Sequence, residues 1–291
     1  MDIKPQYRIS AVYFIVGGLW VFFSDYLVNS LFDTKEALMA AQNVKGWLFI
    51  VVTTGLLFLL VRQAVLAVER KHLALIHSYD ETIRGWIHVM DIRHKETRDH
   101  TVRVTRVMME FARCYGITDA DELQRIERGA ILHDIGKVGI PDSILTKPGK
   151  LTADEMELVR QHPVIASDIL EHVSFLKPCL DIPLYHHERW DGTGYPAGLS
   201  GHNIPVVARL FAIVDVWDAL SHNRVYKNAW EESEVLAYLE DQAGQQFDPN
   251  MVPIFIEHYT VIKQRARLGE NLTSLLNKED ELASGAQIQL D

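Results

Sequence analysis

Two uncharged runs near the start of the chain restrict its fold more than any other feature. They are ISAVYFIVGGLWVFFS, from Ile9 to Ser24, and GWLFIVVTTGLLFLLV, from Gly46 to Val61. Apolar character resumes after Asp25 to reach Phe32, and it continues through Val65, Leu66 and Val68 after the second run. Each stretch therefore attains the roughly 20 residues that a helix needs to cross a bilayer. The first is too long for a cleavable leader and has no small-residue cleavage site, so it reads as a retained span. Spans are predicted at about 9–31 and 46–68. Lys4 and Arg8 precede the first, and Arg62, Arg70 and Lys71 follow the second. The positive-inside rule then places both ends in the cytoplasm and a short mixed loop, Asp33–Lys45, outside. Trp20, Tyr26 and Trp47 suit interfacial anchoring. Asp25, the one interior acid, falls near the outer end and reads as solvated interface.

The charge is divided along the chain. Residues 1–71 carry seven Lys/Arg against five Asp/Glu, whereas residues 72–291 carry 22 against 34, a balance of −12. So acidic a bulk argues against DNA or RNA binding, which needs a basic footprint. An anionic substrate would have to be attracted locally, by bound cations or a few placed Lys/Arg. Cys114 and Cys179 are far apart and outside any zinc spacing, which suits free thiols in a reducing compartment.

Beyond the hairpin the pattern is helical throughout. Val68, His72, Leu75, Tyr79, Ile83, Trp86 and Met90 recur at three or four residues, giving a linker helix over 71–90 with one apolar seam,. That seam suits either a parallel coiled coil between two copies or packing on the chain's own domain. Val104, Val107, Met108, Phe111 and Tyr115 share a face that Gly116 terminates. Asp119 with Glu122 and Thr152 with Glu155 read as capping boxes. Later helices are predicted at about 205–221, 231–242 and 250–264. No segment alternates as a strand does, and residues 263–291 read as a polar tail.

Eight side chains on successive helical segments have the chemistry of metal ligands. Glu96 and His100 lie four apart on one helix face. His133 and Asp134 follow an apolar helical run, His162 closes a helix before Pro163, and His186 and His187 end the helix that begins near Pro178. Asp215 sits within an otherwise apolar helix, where a lone carboxylate would be costly without a cation or donors. HEXXH, CXXC and Walker A patterns are absent. An octahedral ion takes at most about six ligands and normally keeps water, so the set suits two or three ions. Imidazole and carboxylate without thiolate point to iron or manganese, with zinc, nickel or cobalt also compatible. Adjacent histidines on a helix diverge by ~100°, so His186 and His187 are expected to serve different ions.

HDIGK, the downstream RQHP and HHERWDGTGYPAGL together resemble the HD-GYP family of HD phosphohydrolases, over about Asp91–Ile262. ILHDIGKVGIPDSILTKPGKLT, RLFAIVDVWDALSHNRVYKNAW and AGQQFDPNMV belong to the same match. The resemblance implies an all-α, HD-type helical bundle over 91–262, preceded by the transmembrane hairpin of residues 1–70. It implies a phosphodiesterase hydrolysing cyclic di-GMP to pGpG or on to GMP, with divalent ions held by His100, His133, Asp134, His162, His186, His187 and Asp215. Glu96 falls on the family's variable acid, which tends to accompany a third ion. Lys137, Arg224 and Lys227 fall on phosphate-contacting cations. The family's Arg-Pro-Tyr-Arg stands here as Arg224-Val225-Tyr226-Lys227, which keeps the cations and loses the proline. The loop holding Asp191, Gly192, Gly194, Tyr195 and Pro196 is linked in the family to shaping the site and to contacts with diguanylate-cyclase domains. The implied setting is a multi-pass protein of a bacterial inner membrane with its catalytic domain in the cytoplasm. The hairpin itself resembles the two-span segment of some cyclic-dinucleotide signalling proteins, through LWVFFSDYLV and QNVKGWLFIVVT. Two other readings are a non-catalytic cyclic-dinucleotide receptor acting through the GYP loop and a hydrolase of another cyclic dinucleotide. His94, His172, His202, His222 and His258 match no family position and read as structural.

Overall fold

The computed structural model of the chain describes residues 4–93, 97–223 and 228–268. Among them the regular structure is helical, and the only β pairing is an isolated bridge between Ala243 and Phe247. The chain divides into two compact units, Met1–Thr82 and Ile83–Asp291.

Helix α1 (Pro5–Leu31) is followed after three residues by α2 (Lys35–Arg93), whose residues up to Thr82 belong to the first unit. Both are long and apolar enough to cross a membrane by length and composition. Phe14, Phe22, Trp47 and Phe58 are exposed, as side chains facing hydrocarbon would be. The loop expected over Asp33–Lys45 is mostly helix. Its KEALMAAQ stretch consists largely of good helix formers and contains no Gly or Pro, so α2 begins at Lys35,. Asp25 is about half exposed and forms an ion pair with Lys45.

Of the linker seam, Val68, His72 and Leu75 are exposed. Ile83 and Met90 are instead buried with Leu132, Ile135, Ala166, Leu170 and Leu176, and Trp86 packs against that cluster. The C-terminal part of the seam thus covers the protein's own second unit.

The second unit is built on α3 (Thr97–Tyr115) and α4 (Ala120–Ile131), which pack together. Val104, Val107, Met108 and Phe111 bury the predicted face of α3. Gly116 ends the helix at φ +106°, its N–H donating to Arg113 O and that of Ile117 to Ala112 O. This is the paired closure that a left-handed residue permits. Asp119 caps α4 by accepting from Glu122 N–H at 2.8 Å. The short α5 (Asp142–Leu145) precedes α6 (Ala153–Val159), whose capping box between Thr152 and Glu155 forms in both directions. Next come α7 (His162–Leu170) and α8 (Asp181–Tyr185). Helix α9 (Val206–Ser221) is apolar almost all round and fully buried over Ala208–Val214, so it runs through the core,. Helix α10 (Glu232–Asp241) and α11, residues 251–268, complete the unit. Phe111 meets Phe255 edge-on at 4.9 Å, a contact contributing ~0.5–1.5 kcal/mol beyond area burial,.

One helix boundary differs from expectation. His162 opens α7 rather than closing the helix before it, because α6 stops at Val159 and Pro163 sits in the first turn. Proline is tolerated there, since the first-turn N–H groups have no helical partner to lose.

Candidate metal centre

Glu96, Arg224 and Lys227 lie outside the described residues. The other seven predicted ligands come from separate places in the fold. His100 projects from α3, His133 and Asp134 from the turn after α4, His162 from the start of α7, His186 and His187 from the end of α8, and Asp215 from the middle of α9. Close backbone approach brings two of these segments together. A Cβ on Gly136 would lie 1.9 Å from the His162 carbonyl oxygen, so only glycine lets the turn carrying Asp134 lie against α7,.

Two groups of potential ligands result. His162, His186 and His187 bring one ligand atom each within 4.8 Å of one another, and His100, His133 and Asp134 do the same. The groups adjoin, with Asp134 Oδ1 3.5 Å from His162 Nε2. Asp215 Oδ1 lies 3.4 Å from His100 Nε2. His186 and His187 fall in the same group of potential ligands, their rings 4.0 Å apart and inclined by 41°. Helix α8 stops at Tyr185, and the chain turns after its cap His186, so ideal helical divergence does not apply between them.

Three imidazoles are oriented by the same device. Nδ1–H donates to a backbone carbonyl three or four residues earlier: Ala130 for His133 at 2.8 Å, Val159 for His162 at 2.8 Å, Ile182 for His186 at 3.0 Å. This tautomer leaves each Nε2 as a lone pair. His133 Nε2 is buried without a hydrogen-bond partner. His162 Nε2 and His186 Nε2 face each other at 3.4 Å, two lone pairs that cannot hydrogen bond to one another. A cation is what such a set lacks, and nitrogen and carboxylate donors fit a divalent ion.

The electrostatics agree. Burial drops His186 well below the ordinary imidazole range, His162 below it, and His187 to about 4, so these rings are neutral near pH 7. Burial alone would raise Asp134, but the Lys137 ammonium holds it well below the carboxylate range. Asp215 is likewise buried, and the hydrogen bond and charge of His100 keep it ionised. For His100, burial is outweighed by Asp215 and Asp218, and its pKa rises to about 9. Lys137 Nζ donates to Asp134 Oδ2 at 2.6 Å.

Three contributors had not been singled out. Besides Gly136, Asp218 is buried and accepts from His100 Nδ1 at 2.7 Å and from Arg103 Nε at 2.8 Å. Its spacing of three from Asp215 on one helix was a visible signal. Glu188, also buried, accepts from Ala197 N–H at 2.7 Å and Leu199 N–H at 2.9 Å, and so ties down the GYP loop.

That loop carries no predicted ligand but packs directly on the site. The Tyr195 ring stacks on His187 at 4.7 Å, and the Arg160 guanidinium lies over the Tyr195 ring at 5.5 Å. Asp191 accepts from Thr193 N–H at 2.9 Å, and its own N–H donates to Gln245 O. Gly192 needs its glycine for φ +81°, whereas Gly194 needs it because a Cβ would lie 2.6 Å from His187 O. The Tyr195–Pro196 bond is cis. A cavity of about 220 Å³ beside the site is lined by Arg160, His186, His187, Tyr195 and Asp215.

A family profile described as HD domain matches residues 87–251, more than half of the chain. Among curated proteins the chain is 39% identical over 210 residues to the cyclic di-GMP phosphodiesterase response regulator RpfG of Xanthomonas campestris, covering 70% of this chain and 55% of that one. It is 38% identical over 181 residues to the 3'3'-cGAMP-specific phosphodiesterase 2 of Vibrio cholerae, covering 62% and 34%. A cyclic di-GMP phosphodiesterase of the same organism is 40% identical over 167 residues, covering 55% and 34%. The chain thus spans about half the length of the first relative and about a third of the other two.

Proposed function

Because the chain belongs to the HD domain family, we propose that it is a metal-dependent phosphodiesterase, anchored in a bacterial inner membrane by residues 1–70, that hydrolyses cyclic di-GMP to pGpG, to GMP or to both. The observation that carries the reading is the convergence of five imidazoles and two carboxylates, from five segments, as two adjoining groups of three with Asp215 beside His100. Relatives named as cyclic di-GMP phosphodiesterases support the substrate.

His162, His186 and His187 would hold one ion and His100, His133 and Asp134 another, with Asp134 placed between the groups to serve both and Asp215 beside His100. Glu96 would add a third position, and iron or manganese suits the donors best. Bound divalent ions supply a lowered pKa for water and positive charge against a phosphodiester. The remaining steps belong to side chains. Nδ1–H bonds to the backbone hold the imidazoles in the ligating tautomer before substrate arrives. Lys137, anchored on Asp134, would present its ammonium to a non-bridging phosphate oxygen, and the resemblance adds Arg224 and Lys227 as further phosphate-contacting cations,. The GYP loop, held by Glu188 and stacked on His187, closes one side of the cavity and offers a surface to diguanylate-cyclase domains.

A relative specific for 3'3'-cGAMP favours a second reading, the same chemistry on a mixed cyclic dinucleotide. Competing the two dinucleotides against each other on the anaerobically metal-loaded full chain tests both. Preferential loss of cyclic di-GMP is expected. Preferential loss of 3'3'-cGAMP would move the substrate, and nucleotide binding with no turnover would make the protein a receptor.

A further inference from the structure

The cavity of about 220 Å³ beside the metal centre holds a cation that the metal chemistry leaves unused. His186, His187 and Asp215 line it, and so does Arg160. Arg160 is fixed relative to the centre in two ways. Along the chain it follows Val159, the last residue of α6, whose carbonyl accepts from His162 Nδ1 at 2.8 Å. Across space its guanidinium lies over the ring of Tyr195, which stacks on His187. Its ion pair with Glu157, at 4.0 Å between side chains 51% and 66% exposed, is a solvated contact that a ligand can displace,. Other polar groups on the wall are engaged by the GYP loop. Glu188 accepts from Ala197 and Leu199 N–H, and Arg189 donates to Thr193 and Asp191. The volume lies below the roughly 300–1,000 Å³ of pockets that enclose a whole ligand, so the cavity suits one part of a dinucleotide. Tyr195, Ala212 and Val216 make its walls partly apolar, which fits a flat base better than a hydrated phosphate,. An arginine fork bonds the O6 and N7 acceptors of guanine together, whereas adenine sets an N6 donor against it.

On the reading of the metal centre as a cyclic-dinucleotide site, we propose that Arg160 is a specificity-determining residue, which bonds O6 and N7 of one guanine seated in this cavity. Tyr195 steadies the guanidinium, so the loop that packs on His187 also positions the group that reads the base. A single reader of this kind accepts any dinucleotide that offers one guanine, cyclic di-GMP or 3'3'-cGAMP, and refuses cyclic di-AMP.

The test uses the anaerobically metal-loaded full chain in detergent. Its kcat/KM for cyclic di-GMP should exceed that for cyclic di-AMP by about tenfold to a hundredfold, the range of one bidentate base contact, with 3'3'-cGAMP on the guanine side of that gap. Arg160→Ala should remove most of the gap by slowing cyclic di-GMP while leaving cyclic di-AMP unchanged. Equal slowing of both would make Arg160 a phosphate contact, and an unchanged ratio would make it a surface residue; either overturns the proposal. A wild-type ratio near one overturns it as well. Phosphorothioate analogues of the same dinucleotides, which resist cleavage, give the ratio a second time as dissociation constants. Guanine-selective binding that Arg160→Ala abolishes, in a chain without turnover, would support the inference and remove the phosphodiesterase reading. A wild-type chain that binds neither analogue would overturn both.

Discussion

Replacing Asp218 with asparagine removes one charge and almost no volume, yet it strikes the group that orients His100. The carboxylate accepts from His100 Nδ1 at 2.7 Å and from Arg103 at 2.8 and 3.0 Å. An amide has one acceptor and one donor end. If its oxygen stays on His100, its NH2 faces the Arg103 guanidinium; if its oxygen stays on Arg103, its NH2 faces Nδ1–H. Either way a donor meets a donor, unless His100 shifts its proton to Nε2 and ceases to be a ligand. Partners of this kind are worth about 10–100-fold in metal affinity, or ~1.4–2.7 kcal/mol. Calorimetric titration of Mn(II) into the anaerobic, metal-free full chain should therefore show a 10–100-fold loss for Asp218→Asn. Asp218→Ala should add a stability cost of ~3–5 kcal/mol, because it leaves the His100 imidazole beside an emptied buried position. Affinity unchanged in the asparagine variant would refute the argument that Asp218 sets the His100 tautomer.

Further outcomes follow from other parts of the site. In metal-free protein His100 is raised from 6.5 to about 9, so its contribution to stability is fully present below pH 6.5 and is lost as pH climbs through 9; thermal melts should show Tm falling over that window, less so in Asp218→Asn,. Gly136→Ala puts a methyl 1.9 Å from His162 O, so α7 must move, and metal affinity should fall at least tenfold while far-ultraviolet circular dichroism stays helical. Glu188→Ala leaves the Ala197 and Leu199 N–H groups without their acceptor, and amide exchange across residues 191–199 should accelerate well ahead of the helices,. Cys179 is buried with its thiol pushed up to about 11, so native protein at pH 8 should show far slower alkylation there than unfolded protein,.

Much of this was legible in the residues. The period of Val104, Val107, Met108 and Phe111, the stop at Gly116 and the Thr152–Glu155 box are local physics, and each formed where the pattern placed it. The ligand set was legible as chemistry, since imidazoles and acids at the ends of apolar runs have few uses in a core. Pairings across the chain were not. Nothing local told that His186 and His187 would share a group, because that depends on how α8 ends. Gly136 is meaningful only through the His162 carbonyl, 26 residues away, and Glu188 only through a loop that folds back on it. The seam from Val68 to Met90 has one period but two environments, which only packing against Leu132 and Leu170 separates. Asp218 was legible too, since it lies three residues from Asp215 on the same helix.

The central claim is that side chains from five segments gather divalent ions and turn them on a cyclic dinucleotide. Metal analysis of anaerobically purified full chain, with cyclic di-GMP turnover followed by chromatography on the same sample, addresses it directly. The account predicts two or more ions per chain in active protein, and loss of both ions and products in Asp134→Ala with helicity retained. One ion or none in a sample that cleaves the nucleotide, or full activity in Asp134→Ala, would contradict it.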